Sequence, residues 1–232
     1  MIACFISGTD TGVGKTWLTT GLMTALKNKG LVVAGMKPVA SGGTVCGTAI
    51  LNADALLIQK HCSKPVSYES INPYSFRAAV APNIAARQSG VELDVAKIHT
   101  AFKSLQDLSE AVIVEGIGGW RVPLADGIQT FDLVRQLRLP VIMVVGLRLG
   151  CINHAILTAE SMLADGVELL GWVANHLSPD LSAVDETIDS ISSSVTAPLL
   201  GQMPHLPAHD ANEIASCLDV GAIFRQFRLD LS

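Results

Sequence analysis

The sequence lacks most of what would tie a protein to a membrane, a polyanion or an oxidising compartment. Its five cysteines, Cys4, Cys46, Cys62, Cys151 and Cys217, are odd in number and form no CxxC pair. That excludes a disulfide framework and the usual thiolate zinc site, and it fits thiols kept reduced inside a cell. Basic charge is also short: 16 Lys and Arg stand against 21 Asp and Glu, a net charge of -5, with the cations scattered. A broad nucleic-acid footprint is thereby excluded. No apolar run reaches the roughly 18 residues that a membrane helix needs, and the apolar start from Met1 to Ile6 carries no basic n-region of a signal peptide. Internal repeats, low-complexity tracts and linkers are missing too. The expectation is a cytoplasmic protein, one domain over residues 1–232, with no membrane or nucleic-acid partner. What is present is 49% hydrophobic content, enough for one sizeable core.

Short β-branched runs alternate with helical stretches, the pattern of a mostly parallel sheet covered by helices on both faces. Candidate strands are Ile2 to Ser7, Leu31 to Met36, Ala111 to Glu115, Val141 to Gly146, Gly171 to Asn175 and Leu199 to Gly201. Most are nearly continuous apolar runs, as strands buried on both faces should be. Leu18, Leu22, Ala25 and Leu26 share one face of a helix after the first strand, which ends near Gly30. A second helix starts at about Ile152, with Ala155, Ile156, Ala159 and Leu163 in register. The stretches from Asn72 to Pro82 and from Arg121 to Thr130 read as irregular loops.

Directly after the first strand comes Gly8-Thr9-Asp10-Thr11-Gly12-Val13-Gly14-Lys15-Thr16, leading into a helix. Glycines let backbone N–H groups face a phosphate, Lys15 adds a positive charge, and the Thr16 hydroxyl suits Mg²⁺. The helix N-terminus contributes its dipole. Gly8 and Gly14 are one residue further apart than in the generic phosphate-binding loop, yet the Gly-Lys-Thr end and its strand–loop–helix setting are intact.

Ligands on open α/β sheets bind beyond the carboxyl ends of the strands. Lys37 stands at one such end, where it is either a functional cation or a solvated surface group. Glu115 ends Val112-Ile113-Val114-Glu115, before the glycines at 116, 118 and 119. It is a candidate magnesium ligand opposite Thr16, or a turn acid. Asp54 lies where Asn52 can cap a helix, so a first-turn dipole partner is its plainer reading. Asn175 can read a base edge or cap a turn. His205 and His209 are four apart with Pro207 between them, which argues against a shared metal.

These blocks resemble the dethiobiotin synthetase family from end to end. The resemblance rests on the long phosphate loop, on Lys37-Pro38-Val39-Ala40-Ser41-Gly42, on Val114-Glu115-Gly116 with Gly118-Gly119-Trp120, and on Asn72-Pro73-Tyr74. Gly150-Cys151-Ile152-Asn153-His154-Ala155, Gly171-Trp172-Val173-Ala174-Asn175 and Ala197-Pro198-Leu199-Leu200-Gly201 extend it. It implies a P-loop NTPase fold and an ATP-dependent ligase that joins CO₂ to 7,8-diaminononanoate in biotin synthesis. By that resemblance Lys15, Lys37 and Thr11 are catalytic, and Thr11 and Ser41 hold the reacting end of the substrate. Thr16, Asp54 and Glu115 hold Mg²⁺. Residues Gly12, Val13, Gly14, Lys15, Thr16 and Trp17, with Asp54, Glu115, Gly116, Ile117 and Gly118, surround the nucleotide. Asn175, His176, Pro204, His205 and Leu206 complete its site. Gly150, Cys151 and Asn153 receive the substrate's far carboxylate from the neighbouring subunit of a homodimer. Two positions depart from the family pattern: Asn83 replaces a histidine, and Ala211 replaces a glutamate.

Two other readings of the phosphate loop stand beside this one: a nucleotide-driven partition or assembly switch, and a nucleotide-binding module without turnover. A GTPase is disfavoured, since Asn175 is followed by His176 and no Asn-Lys-x-Asp pattern is present.

Overall fold

The computed structural model describes residues 1–227. A six-stranded parallel sheet forms its centre. Across the sheet the strands run Leu199–Met203, Leu169–His176, Val141–Leu147, Ile2–Gly8, Ala111–Glu115 and Val33–Met36. All six expected strands are present, with ends shifted by up to two residues. Their apolar runs explain the arrangement, because every residue of Ala111–Glu115 and Val141–Leu147 is buried. Such strands need helices on both sheet faces.

The helix Lys15–Asn28 buries Leu18, Leu22 and Leu26, each 1% exposed or less. Fully burying a side chain of that size contributes about 1.5–3 kcal/mol. The helix stops at Lys29, and Gly30 follows with φ +86°, the left-handed cap its position implied. The later helix spans Cys151–Ala164.

The two stretches read as irregular are partly ordered. Tyr74–Ser75 pairs in parallel with Val39–Ala40, and Pro82 opens the helix Pro82–Gln88. Pro123–Ala125 and Ile128–Gln129 form a short hairpin. These strands are only two or three residues long, too short for a period of two to register in the sequence. Among the described residues no helix is long and apolar enough to cross a membrane.

The Ile2–Gly8, Ala111–Glu115 and Val33–Met36 strands are neighbours, and all run the same way. Their carboxyl ends therefore bring the phosphate loop, Glu115 and Lys37 to one rim of the sheet.

Candidate nucleotide and substrate site

A cavity of about 770 Å³ opens at this rim. Thr11, Gly12, Gly14, Lys15, Thr16 and Trp17 line it from the phosphate loop, and Lys37, Ser41, Asp54, Glu115, Ile117 and Gly118 are among its other lining residues. Residues separated by up to about a hundred positions meet here because three parallel strands end together.

The phosphate loop is held from below. Gly14 has φ +98°, and the Asn175 amide occupies the space a Cβ would need, so only glycine fits. Asn175 is buried, and its Nδ2 donates to the Val13 carbonyl at 2.8 Å. Part of the amide expected to read a base is thus committed to the loop. On the other side, the Asp10 carboxylate accepts the Thr11 N–H at 2.7 Å and pairs with the Arg148 guanidinium. The Thr11 N–H and Arg148 hold the Asp10 carboxyl below the usual carboxylate range, against a smaller opposing effect of burial.

Lys15 donates from Nζ to the Asp10 carbonyl oxygen at 2.8 Å. Burial first, and repulsion from Lys37 second, lower its pKa to about 8. Lys37 is 4% exposed, yet its ammonium is well compensated. Nζ lies 2.6 Å from Glu115 Oε1, 3.2 Å from Asp54 Oδ2 and 3.4 Å from the Gly116 carbonyl oxygen. Burial alone would lower its pKa, but the two carboxylates outweigh burial and hold it above the ordinary lysine value. The solvated-surface reading of Lys37 is therefore wrong. A short run read in isolation cannot reveal that two distant carboxylates cover its end.

Glu115 is 1% exposed. Its Oε1 accepts from Lys37 and, at 2.9 Å, from the Thr16 hydroxyl, while Oε2 is buried without a partner. A carboxylate oxygen desolvated in this way is costly unless a cation or donor completes it. Asp54 takes the first-turn position and also contacts Lys37. Asn52 caps the helix Ala53–His61 by accepting the Ala55 N–H at 3.2 Å, which puts Asp54 in the first turn and in reach of Lys37.

Several expected residues lie outside the cavity lining. Gly116 sits behind it, turning its carbonyl to Lys37. Asn175 and His176 end a strand beyond Gly14, and Pro204, His205 and Leu206 follow the adjacent edge strand. Gly150, Cys151 and Asn153 start the Cys151–Ala164 helix, away from the cavity of their own chain. The Cys151 side chain is buried and its N–H donates to the Arg148 carbonyl at 3.0 Å. Among the described residues the N–H groups of Gly150, Ile152 and Asn153 have no protein acceptor and remain as helix-start donors.

Other residues take part whose roles the sequence did not indicate. Asn72 is buried and donates from Nδ2 to the Lys37 carbonyl at 2.6 Å, fixing the backbone that carries the lysine. Ala79, Val80 and Ala81 wall the cavity ahead of Pro82, an apolar stretch with no polar signal to mark it. Asn83 keeps a buried side-chain oxygen without a partner, and Ala211 begins a helix capped by Asp210.

A family model described as "AAA domain" matches residues 3–213. The ATP-dependent dethiobiotin synthetase BioD of Pseudomonas aeruginosa is 45% identical over 221 residues, 95% of this chain and 97% of that protein. The synthetase of the same name from Aromatoleum aromaticum is 45% identical over 216 residues, 93% of this chain and 96% of its own. Among solved structures, a ParA family ATPase from Chlorobium tepidum aligns at a TM-score of 0.58 with 10% identity, covering 96% of this chain and 98% of that one. The MinD cell division protein of Aquifex aeolicus aligns at 0.57 with 15% identity, covering 100% and 99%. At such low identity these structures speak for the fold alone. A P-loop fold, a cavity that gathers the phosphate loop with Lys37 and Glu115, and close identity over nearly the whole length lead to one assignment: the chain belongs to the dethiobiotin synthetase family.

Proposed function

We propose that this chain is an ATP-dependent ligase that joins CO₂ to 7,8-diaminononanoate and closes the cyclic urea of dethiobiotin, releasing ADP and phosphate in biotin biosynthesis. The observation that carries this reading is the meeting of Lys15, Lys37 and Glu115 at one cavity, in a chain 45% identical to named synthetases. One substrate amine adds to CO₂ and loses a proton, giving a carbamate. A carbamate oxygen attacks the γ-phosphorus of ATP, and ADP leaves. The second amine then attacks the carbonyl carbon and expels phosphate. This chemistry asks the protein mainly for alignment and charge neutralisation.

The phosphate-loop N–H groups and Lys15 hold the triphosphate, while Lys37 stays charged through its two carboxylates and faces the carbamate. Thr11 and Ser41 hydrogen-bond the reacting end. Thr16, Asp54 and Glu115 offer only hard oxygen donors, and the partnerless Glu115 Oε2 supports their fit to Mg²⁺. Bound there, Mg²⁺ would neutralise charge on the phosphate oxygens. The rest of the nucleotide lies along Gly12 to Trp17 and Gly116 to Gly118, with its base toward Asn175, His176 and Pro204 to Leu206.

The substrate's far carboxylate is received by the helix start at Gly150 to Asn153 of a second subunit, so that the working unit is a homodimer. Residues 1–232 act as one synthetase domain, and the free cysteines support a reducing cytoplasmic setting. The test is the product. With ATP, Mg²⁺, the diamine and carbon-labelled bicarbonate, label should enter a cyclic urea; ATP hydrolysis without labelled urea would overturn the reading.

A further inference from the structure

We propose that His209 is a positioning residue for nucleotide affinity: it pins the segment after the Leu199–Met203 strand onto the helix leaving the phosphate loop, and it braces Trp17 at the cavity edge. This rests on reading the cavity as the ATP site. His209 Nε2 lies 2.7 Å from the Thr20 hydroxyl oxygen. Thr20 has a single hydroxyl proton, which is directed to the carbonyls of Thr16 at 2.9 Å and Trp17 at 3.1 Å. With that proton on the carbonyls the hydroxyl oxygen accepts, which matches the His209 tautomer protonated on Nε2. The Trp17 indole meets the same imidazole edge to face, with centroids 5.7 Å apart and planes at 79°. Trp17 itself lines the cavity.

Three elements converge on this ring. Thr20 and Trp17 belong to the Lys15–Asn28 helix, and His61, 5.7 Å away at 85°, ends the Ala53–His61 helix that begins beside Asp54. His209 belongs to the third, a segment whose Leu206 packs against the core. Among the described residues, 205–209 make no other hydrogen bond. Just beyond, Asp210 caps the Ala211–Ser216 helix, accepting the N–H groups of Asn212 at 2.9 Å and Glu213 at 3.1 Å. The imidazole is thus the hydrogen-bonded tie between the phosphate-loop helix and residues 205–209, just ahead of the Ala211–Ser216 helix that packs Ile214 against Gly21 of that phosphate-loop helix. No pattern in the sequence points to it, because Thr20 is 189 positions away.

Equilibrium binding of ADP and steady-state kinetics on the full chain test the proposal. Losing one such hydrogen bond typically changes an equilibrium by up to about tenfold. His209→Ala should weaken ADP binding and raise KM for ATP by about that factor, with kcat within about threefold of wild type. His209→Gln, whose longer amide can still donate to Thr20, should recover most of the loss. Thr20→Val removes the acceptor from the other side and should match His209→Ala, which keeps the test sound if the alanine variant fails to fold. Lys15→Gln serves as the reference and should abolish tight ADP binding. Wild-type affinity in His209→Ala or Thr20→Val, while Lys15→Gln loses binding, would overturn the role of His209 and leave the site intact. A lowered melting temperature at unchanged affinity would do the same. Unchanged binding in Lys15→Gln as well would overturn the nucleotide site itself.

Discussion

Lys37 and Lys15 stand near each other in one cavity, but their surroundings push them in opposite directions. Lys37 is held charged by Glu115 and Asp54, so Lys37→Gln should lose on the order of 10² in kcat, measured by product formation with the fold checked by circular dichroism. It also leaves Glu115 buried with fewer partners, so a lower melting temperature should accompany the loss. Lys15, by contrast, has its pKa lowered to about 8. Nucleotide affinity should fall as pH rises through that value, because the ammonium that attracts phosphate is lost. Lys15→Arg should flatten the dependence. The stability of the ligand-free protein runs the other way. Between about 8 and the ordinary lysine value of 10.5 the unfolded chain binds more protons, so Lys15 adds stability as pH rises across that window. Titration calorimetry and thermal melts over this range check both signs. At this scale the phosphate loop was legible because its function is local. Lys37 and Asp54 were singled out by the family resemblance and not by their own sequence context, and the role of Asn72 not at all, since their partners lie up to 78 positions away.

The helix Ala53–His61 shows how one element carries two tasks. Asn52 caps it and also donates from Nδ2 to the Ser41 carbonyl at 3.3 Å, so the cap and the cavity wall are joined. Asn52→Ala should cost about 1 kcal/mol of stability, the typical worth of such a cap. The displaced helix start should also raise the magnesium concentration needed for half-maximal activity. Asp54→Asn separates these effects: a capable first-turn side chain is kept but a hard anionic oxygen is removed. Its magnesium requirement should rise, read by titrating activity against Mg²⁺, and loss of the contact with buried Lys37 should lower the melting temperature modestly. An unchanged requirement would return Asp54 to a purely structural role. The sheet strands were legible because burial on both faces leaves continuous apolar runs, as in Val141–Leu147. Pro123–Ala125 and Ile128–Gln129 were not, because pairs so short are fixed by the surrounding chain rather than by their own pattern.

In the whole molecule, the phosphate loop and the Gly150 to Asn153 helix start are joined by the Asp10–Arg148 pair but do not share a cavity within one chain. A single sequence carries little sign of such a division, since an interface is written in two surfaces at once. If the tail of the substrate is held by a second subunit, mixing Lys37→Gln with an Ile152→Pro plus Asn153→Asp protein should restore activity toward half of wild type per heterodimer. One site then carries both defects and the other carries none. No recovery despite demonstrated subunit exchange would mean that each chain binds the tail alone.

ATP here is a reactant and not a conformational timer. Phosphate release is the most direct measure of that difference, because a ligase cleaves ATP productively only when the acceptor carbamate is present. With ATP and Mg²⁺ alone, release should stay near background; with bicarbonate and the diamine added together, it should rise steeply and match dethiobiotin formed one to one. Equal release with and without the two substrates would make ATP a timer and not a reactant.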